Sequence, residues 1–89
     1  IIVEGHTDNI PYNRGQLKDN WDLSVMRSTS VIKIMLQNKS LKPNQLTAAG
    51  KAEFVPISSN NSSEGRSANR RIEMILTPNL DDLFDLLSE

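Results

Sequence analysis

The chain has 89 residues, 37% of them hydrophobic, and ten basic against eleven acidic side chains give a formal charge of −1. That length allows one small domain with a marginal core, and no apolar run approaches the roughly 18 residues of a membrane-spanning helix. The charge balance lacks the basic excess of a general nucleic-acid binder, and the absence of cysteine removes disulfides and thiolate metal sites.

Residues 1–6 read as a strand ending near Thr7, because β-formers give way to Gly5, His6, Thr7, Asp8 and Asn9. Turn chemistry explains such a polar crowd, and so does a binding site at the strand's end. The chain opens inside this strand, so any leader or anchor is expected upstream. Pro11 and Gly15 mark residues 9–19 as a loop. Asp19 or Asn20 then caps a helix expected from Trp21 to Asn38, with Asp22 suiting its first turn. Leu23, Met26, Ser30, Val31, Ile34 and Met35 follow helical spacing and should face a sheet. Pro43 stops the helix, and residues 45–50 form a short strand closing on Gly50. Residues 51–70 read as mostly loop, with a mobile Ser/Asn run at 58–63. Residues 70–77 form a clear strand. After Pro78, Leu80, Leu83, Phe84 and Leu87 share one stripe of a short acidic helix. Strands alternating with helices imply an α/β fold, a two-layer sandwich with helices on one face of a small mixed sheet. The domain boundaries are 1–77 for the globular unit and 78–89 for the C-terminal amphipathic helix.

Arg27 stands out because it lies four residues from Leu23 and from Val31, on their stripe. A guanidinium near a buried face needs a carboxylate or an opening to water, and the plain reading is an edge arginine that reaches out to solvent. Asp8 offers another. It follows the strand, and Arg27 lies about two turns into the helix, so the two can flank one cleft. Such a pair is either an internal salt bridge or a clamp for a zwitterion. In the clamp, Asp8 takes an ammonium, while Arg27 and the amides around Asn20 to Asp22 take a carboxylate.

Other chemistries fare worse. His6 and Asp8 with Glu4 or Glu53 could ligate a metal, yet one histidine is thin support for a transition-metal site, so no metal is expected. Nothing places His6 as a base beside Ser24, Thr7 or Ser30, and nothing fixes a separation for Asp8 and Glu53 as a hydrolytic pair. No enzyme activity and no cofactor are expected. Arg66, Arg70 and Arg71 could touch phosphate, but Glu64 and Glu73 are positioned to tie them down, and few aromatics exist to stack bases. Trp21 and Tyr12 could stack on a sugar, although Trp21 is better explained as packing at the helix start.

Four blocks in order, VEGHTDN, NWDLSVMRSTSVIKIML, LTAAGKAEFVPI and EGRSANRRIEMIL, give the chain a resemblance to the OmpA-like (OmpA/MotB C-terminal) peptidoglycan-binding domain. The resemblance covers the chain to about Thr77 and implies a fragment lacking the family's first strand and helix. It also implies non-covalent binding to the diaminopimelate residue of a peptidoglycan stem peptide, anchoring a periplasmic part of an outer-membrane or cell-envelope protein to the cell wall. On matching positions, Asp8 holds the diaminopimelate amine and Arg27 its carboxylate. Asn20 and Leu23 line the pocket, Thr7 and Asn9 flank the acid, and Arg70 supports ligand binding. Asn69 and Arg71 order the neighbouring loop. The lost strand exposes an edge that a partner chain, as in a homodimer, could cover. The C-terminal helix is too short and acidic for membrane insertion. The alternative is a structural or oligomerisation module in which Asp8 and Arg27 form an internal salt bridge.

Overall fold

The strand that opens the chain becomes the middle of a three-stranded sheet in the computed structural model, which describes residues 1–76, 87 and 88. Strands β1 (Ile2–Gly5), β2 (Thr47–Gly50) and β3 (Ile72–Ile75) lie in the order β2-β1-β3. β2 runs parallel to β1 and β3 antiparallel, so the sheet is mixed. A parallel neighbour demands a crossover, and helix α1 (Asn20–Met35) supplies it and packs on β1 and β2. The expected α/β architecture is the one the chain adopts. The C-terminal helix and its stripe lie outside the described residues, apart from Leu87 and Ser88.

Asp19 caps α1, accepting a hydrogen bond from the Asp22 amide at 2.9 Å, which makes Asn20 the first helical residue. The helix stops at Met35, three residues before the expected end. Its buried face also differs from the expected stripe. Asn20, Leu23, Ser24 and Ser28 are buried, whereas Met26, Ser30 and Ile34 are exposed, Ile34 by 65%. The cause lies in two glycines paired across the sheet, Gly5 and Gly50. A Cβ on Gly5 would collide with the Ser24 carbonyl oxygen, and one on Gly50 would collide with the Ser24 hydroxyl and the Val25 side chain. Their bare backbones let α1 settle so close that only small residues fit between. Ser28 Oγ then donates to the Ala49 carbonyl at 2.6 Å, and Ser24 Oγ accepts from the Ala52 amide at 3.2 Å. Large apolar residues cannot enter this interface, so the helix turns its serines inward.

A second helix, α2 (Ser63–Asn69), occupies sequence expected to be loop. Ser and Asn favour caps and turns, and Gly65 is a poor helix residue, so tertiary contacts decide the outcome. Ser62 caps it by accepting from the Gly65 amide at 3.0 Å. The buried Asn69 side chain accepts from the amides of Ile57 and Ser58 and donates to Ser58 O and Asn60 Oδ1. The run expected to be mobile is thus stitched to α2, as the loop-ordering role of Asn69 requires.

Candidate functional site

Hydrogen bonding at the end of β1 continues past its last regular residue. The amide of His6 donates to the Arg71 carbonyl and that of Thr7 to the Ala52 carbonyl, both at 2.9 Å, so the chain is held from both sides. Asp8 follows at once and is buried, with one hydrogen bond on each carboxylate oxygen. Oδ1 accepts from the Ile10 amide at 3.0 Å and Oδ2 from Arg70 Nη1 at 2.6 Å. Thr7 Oγ1 donates to the Asp8 carbonyl at 2.8 Å, which fixes the backbone that carries the acid. The ion-pair partner of Asp8 is therefore Arg70, delivered by the end of α2, and the internal Asp8–Arg27 bridge does not form.

Asn20, Leu23 and Arg27 meet Asp8 and Arg70 from the helix side, lining a cavity of about 300 Å³. Asn20 Nδ2 faces three acceptors: Glu53 Oε2 at 2.7 Å, Ile10 O at 3.2 Å and Asp8 O at 3.3 Å. A carboxylate and two carbonyls cannot donate, so the amide's orientation follows from its neighbours. Its buried Oδ1 is left without a hydrogen-bond partner. Arg27, half-buried, has no ion pair or hydrogen bond among the described residues. The cavity thus offers an unused planar cation beside a buried acid. Thr7 stays behind the acid, and Asn9 is exposed; neither lines the cavity. The amide of Asp22 is taken by Asp19, so that part of the expected helix-start anion site is occupied.

The loop 9–19 forms the remaining wall, through Ile10, Pro11, Tyr12, Asn13 and Arg14. Apart from Tyr12, which was considered as a sugar-stacking ring, these residues were missed from sequence because a Pro- and Gly-containing loop announces no fixed shape. Glu53 was missed in its actual role, which is to orient Asn20 from 33 residues away. Trp21 lies outside the cavity wall, half exposed, with its ring centroid 5.4 Å from that of Phe54.

A second ionic cluster occupies the other face of the sheet. Glu4 and Glu73 are directly opposed across β1 and β3, and His6 lies on their face. His6 Nε2 is 2.7 Å from Glu4 Oε1 and 2.9 Å from Glu73 Oε2, while Arg71 Nη2 lies 3.0 Å from that same Glu73 oxygen. The expected pairing of Arg71 with Glu73 is present. Arg66 instead donates to the Asn60 carbonyl. The three candidate ligand atoms of Glu4, His6 and Glu73 lie within 4.8 Å of one another, whereas Asp8 and Glu53 turn toward the cavity side.

The sequence pattern of the OmpA family matches residues 1–70. Motility protein B of Bacillus subtilis (strain 168) is 41% identical over 78 residues, which are 88% of this chain and 30% of that protein. A crystal structure of the C-terminal domain of Helicobacter pylori MotB superposes with a TM-score of 0.80 at 31% identity, covering 98% of this chain and 65% of that one. A structure described as the cell wall anchor of the T6SS from Pseudomonas aeruginosa superposes with a TM-score of 0.73 at 34% identity, covering 80% of this chain and 49% of that one. The chain spans about a third of the length of the curated motility proteins it matches.

Proposed function

The chain belongs to the OmpA family, and from that premise we propose that it binds the diaminopimelate residue of a peptidoglycan stem peptide. The binding is non-covalent, involves no reaction, and anchors a periplasmic, cell-envelope protein to the wall. A relative described as a cell wall anchor supports the coarser part of this reading. The observation that carries the finer part is a guanidinium, Arg27, that has no partner among the described residues and shares one cavity with the Asp8 carboxylate. A zwitterion supplies a partner for each.

The ligand's carboxylate takes the fork of Arg27, since a guanidinium matches a carboxylate in plane and gains two charge-assisted hydrogen bonds. Its ammonium shares the Asp8 carboxylate with Arg70. Arg70 then holds Asp8 in place when the cavity is empty and supports it when it is filled. Leu23 gives the ligand's methylenes an apolar surface. Glu53 acts through Asn20 by holding its amide nitrogen against the Asp8 and Ile10 carbonyls. Thr7 and Asn9 remain supports of the loop that carries Asp8.

Calorimetric titration with a diaminopimelate-containing stem peptide, against a lysine-containing one, tests the reading. Lysine lacks the second carboxylate, so the diaminopimelate peptide should bind at least tenfold tighter, about 1.4 kcal/mol. Asp8→Asn should weaken that binding by a similar factor or more. Equal affinity for both peptides, or an unchanged Asp8→Asn, would overturn the clamp.

A further inference from the structure

The wall built by loop 9–19 is a fixed hairpin. Arg14 and Leu17 exchange two backbone hydrogen bonds at 2.8 and 3.0 Å around a turn in which Gly15 takes φ +60°. Lys18 Nζ donates to the Gly15 carbonyl at 2.7 Å, and the base of the loop is held where Asn20 meets Ile10 O. On this frame the Arg14 guanidinium carbon sits 5.7 Å from the centroid of the half-buried Tyr12 ring. Both residues line the cavity. A ring face steadies a guanidinium without neutralising it, and Arg14 has no acidic partner among the described residues.

The charge count in the cavity follows directly. Three guanidiniums, Arg14, Arg27 and Arg70, line the cavity with the carboxylate of Asp8, and the Glu53 carboxylate stands behind Asn20, an excess of one positive charge. A zwitterion with one ammonium and one carboxylate is neutral and leaves that excess in place. Such a ligand also leaves the exposed Arg14 without an anion. A ligand with two carboxylates and one ammonium removes the excess and pairs both Arg14 and Arg27.

We propose that Arg14, steadied on Tyr12, is a second carboxylate subsite, so that the cavity takes a peptide bearing a zwitterionic side chain and a further free carboxylate. This rests on the diaminopimelate reading above and adds a demand to it. The further carboxylate belongs to the same peptide, at its C-terminus or on an acidic residue.

The test titrates the chain with three stem peptides containing diaminopimelate: one unmodified, one amidated at its C-terminus, and one amidated on its acidic residue. One of the two amidations should weaken binding about tenfold. Arg14→Gln should weaken binding of the unmodified peptide by the same factor and show no further loss with that amidated peptide. Arg14→Lys, which keeps the charge but loses the planar fork, should fall between. Unchanged melting temperatures would show that this exposed hairpin position leaves the fold intact. Equal binding of all three peptides by the unsubstituted chain, or unchanged binding by Arg14→Gln, would overturn the subsite while leaving the diaminopimelate reading standing. Binding of none of the three would overturn both.

Discussion

Two ionic clusters hang from one short stretch of chain, and they are finished to different degrees. On one face of the sheet, His6, Glu4, Glu73 and Arg71 pair with one another: two opposed carboxylates meet an imidazole nitrogen and a guanidinium, while His6 Nδ1 and Arg71 Nε stay buried without hydrogen-bond partners. On the other side, Asp8 and Arg70 pair, yet Arg27 and Arg14 line a cavity with no ion pair among the described residues. Like charges directly opposed on neighbouring strands are destabilising, so the first cluster is best understood as a lock that lets Glu4 and Glu73 coexist. The second has cations to spare. A cluster whose ionic groups pair with one another holds the fold, and one left open is available to a ligand.

Substitutions can break or sharpen that contrast. The largest effect is expected where the clusters share a foundation. Gly5→Ala drives a Cβ into the Ser24 carbonyl oxygen, with backbone on both sides and little room to yield. Overpacking of this kind costs about 3 kcal/mol or more, so chemical denaturation should show a large loss of stability, and ligand binding should weaken with it. A Gly5→Ala chain of ordinary stability would mean that the close helix–sheet approach is not required.

His6→Ala should come next. It leaves Glu4 and Glu73 facing each other over a small void, at about 2–3 kcal/mol of stability. Stem-peptide affinity of the remaining folded protein should hardly change, because His6 does not line the cavity. Loss of affinity without loss of stability would reverse the roles assigned to the two clusters. Glu73→Gln is the mildest of the three. The Glu73 side chain is 47% exposed, and a half-solvated ion pair is worth less than about 1 kcal/mol. A shift of that size or smaller in denaturant midpoint is expected, again with affinity unchanged.

The strand–helix–strand order of residues 1–50 and the placing of Asp8 and Arg27 about one cleft could be read from the chain because strand and cap signals are local, whereas Asn20, Leu23 and Arg70 came from the family resemblance. What escaped reading was set by distance. Gly5 looks like a strand terminator, yet it lies within β1, and its role depends on Gly50 and Ser24. The apolar spacing of Met26, Ser30 and Ile34 suggested a buried stripe, whereas paired glycines select the serine face instead. Helix α2 is hidden because Ser62, Gly65 and Asn69 individually favour caps and turns; only the contacts of Asn69 with residues 57–60 make a helix of them. Arg70 was legible as a support, but its 2.6 Å contact with Asp8 spans most of the chain.

The most direct test is the affinity and melting temperature of Arg27→Ala measured side by side, with the diaminopimelate-containing stem peptide as ligand. Arg27 has no ion pair or hydrogen bond to lose among the described residues, so the account predicts a tenfold or greater loss of affinity, about 1.4 kcal/mol, with the melting temperature within a degree or two of the unsubstituted chain. Unchanged affinity, or a large fall in melting temperature, would contradict the claim that the open cluster is a binding site.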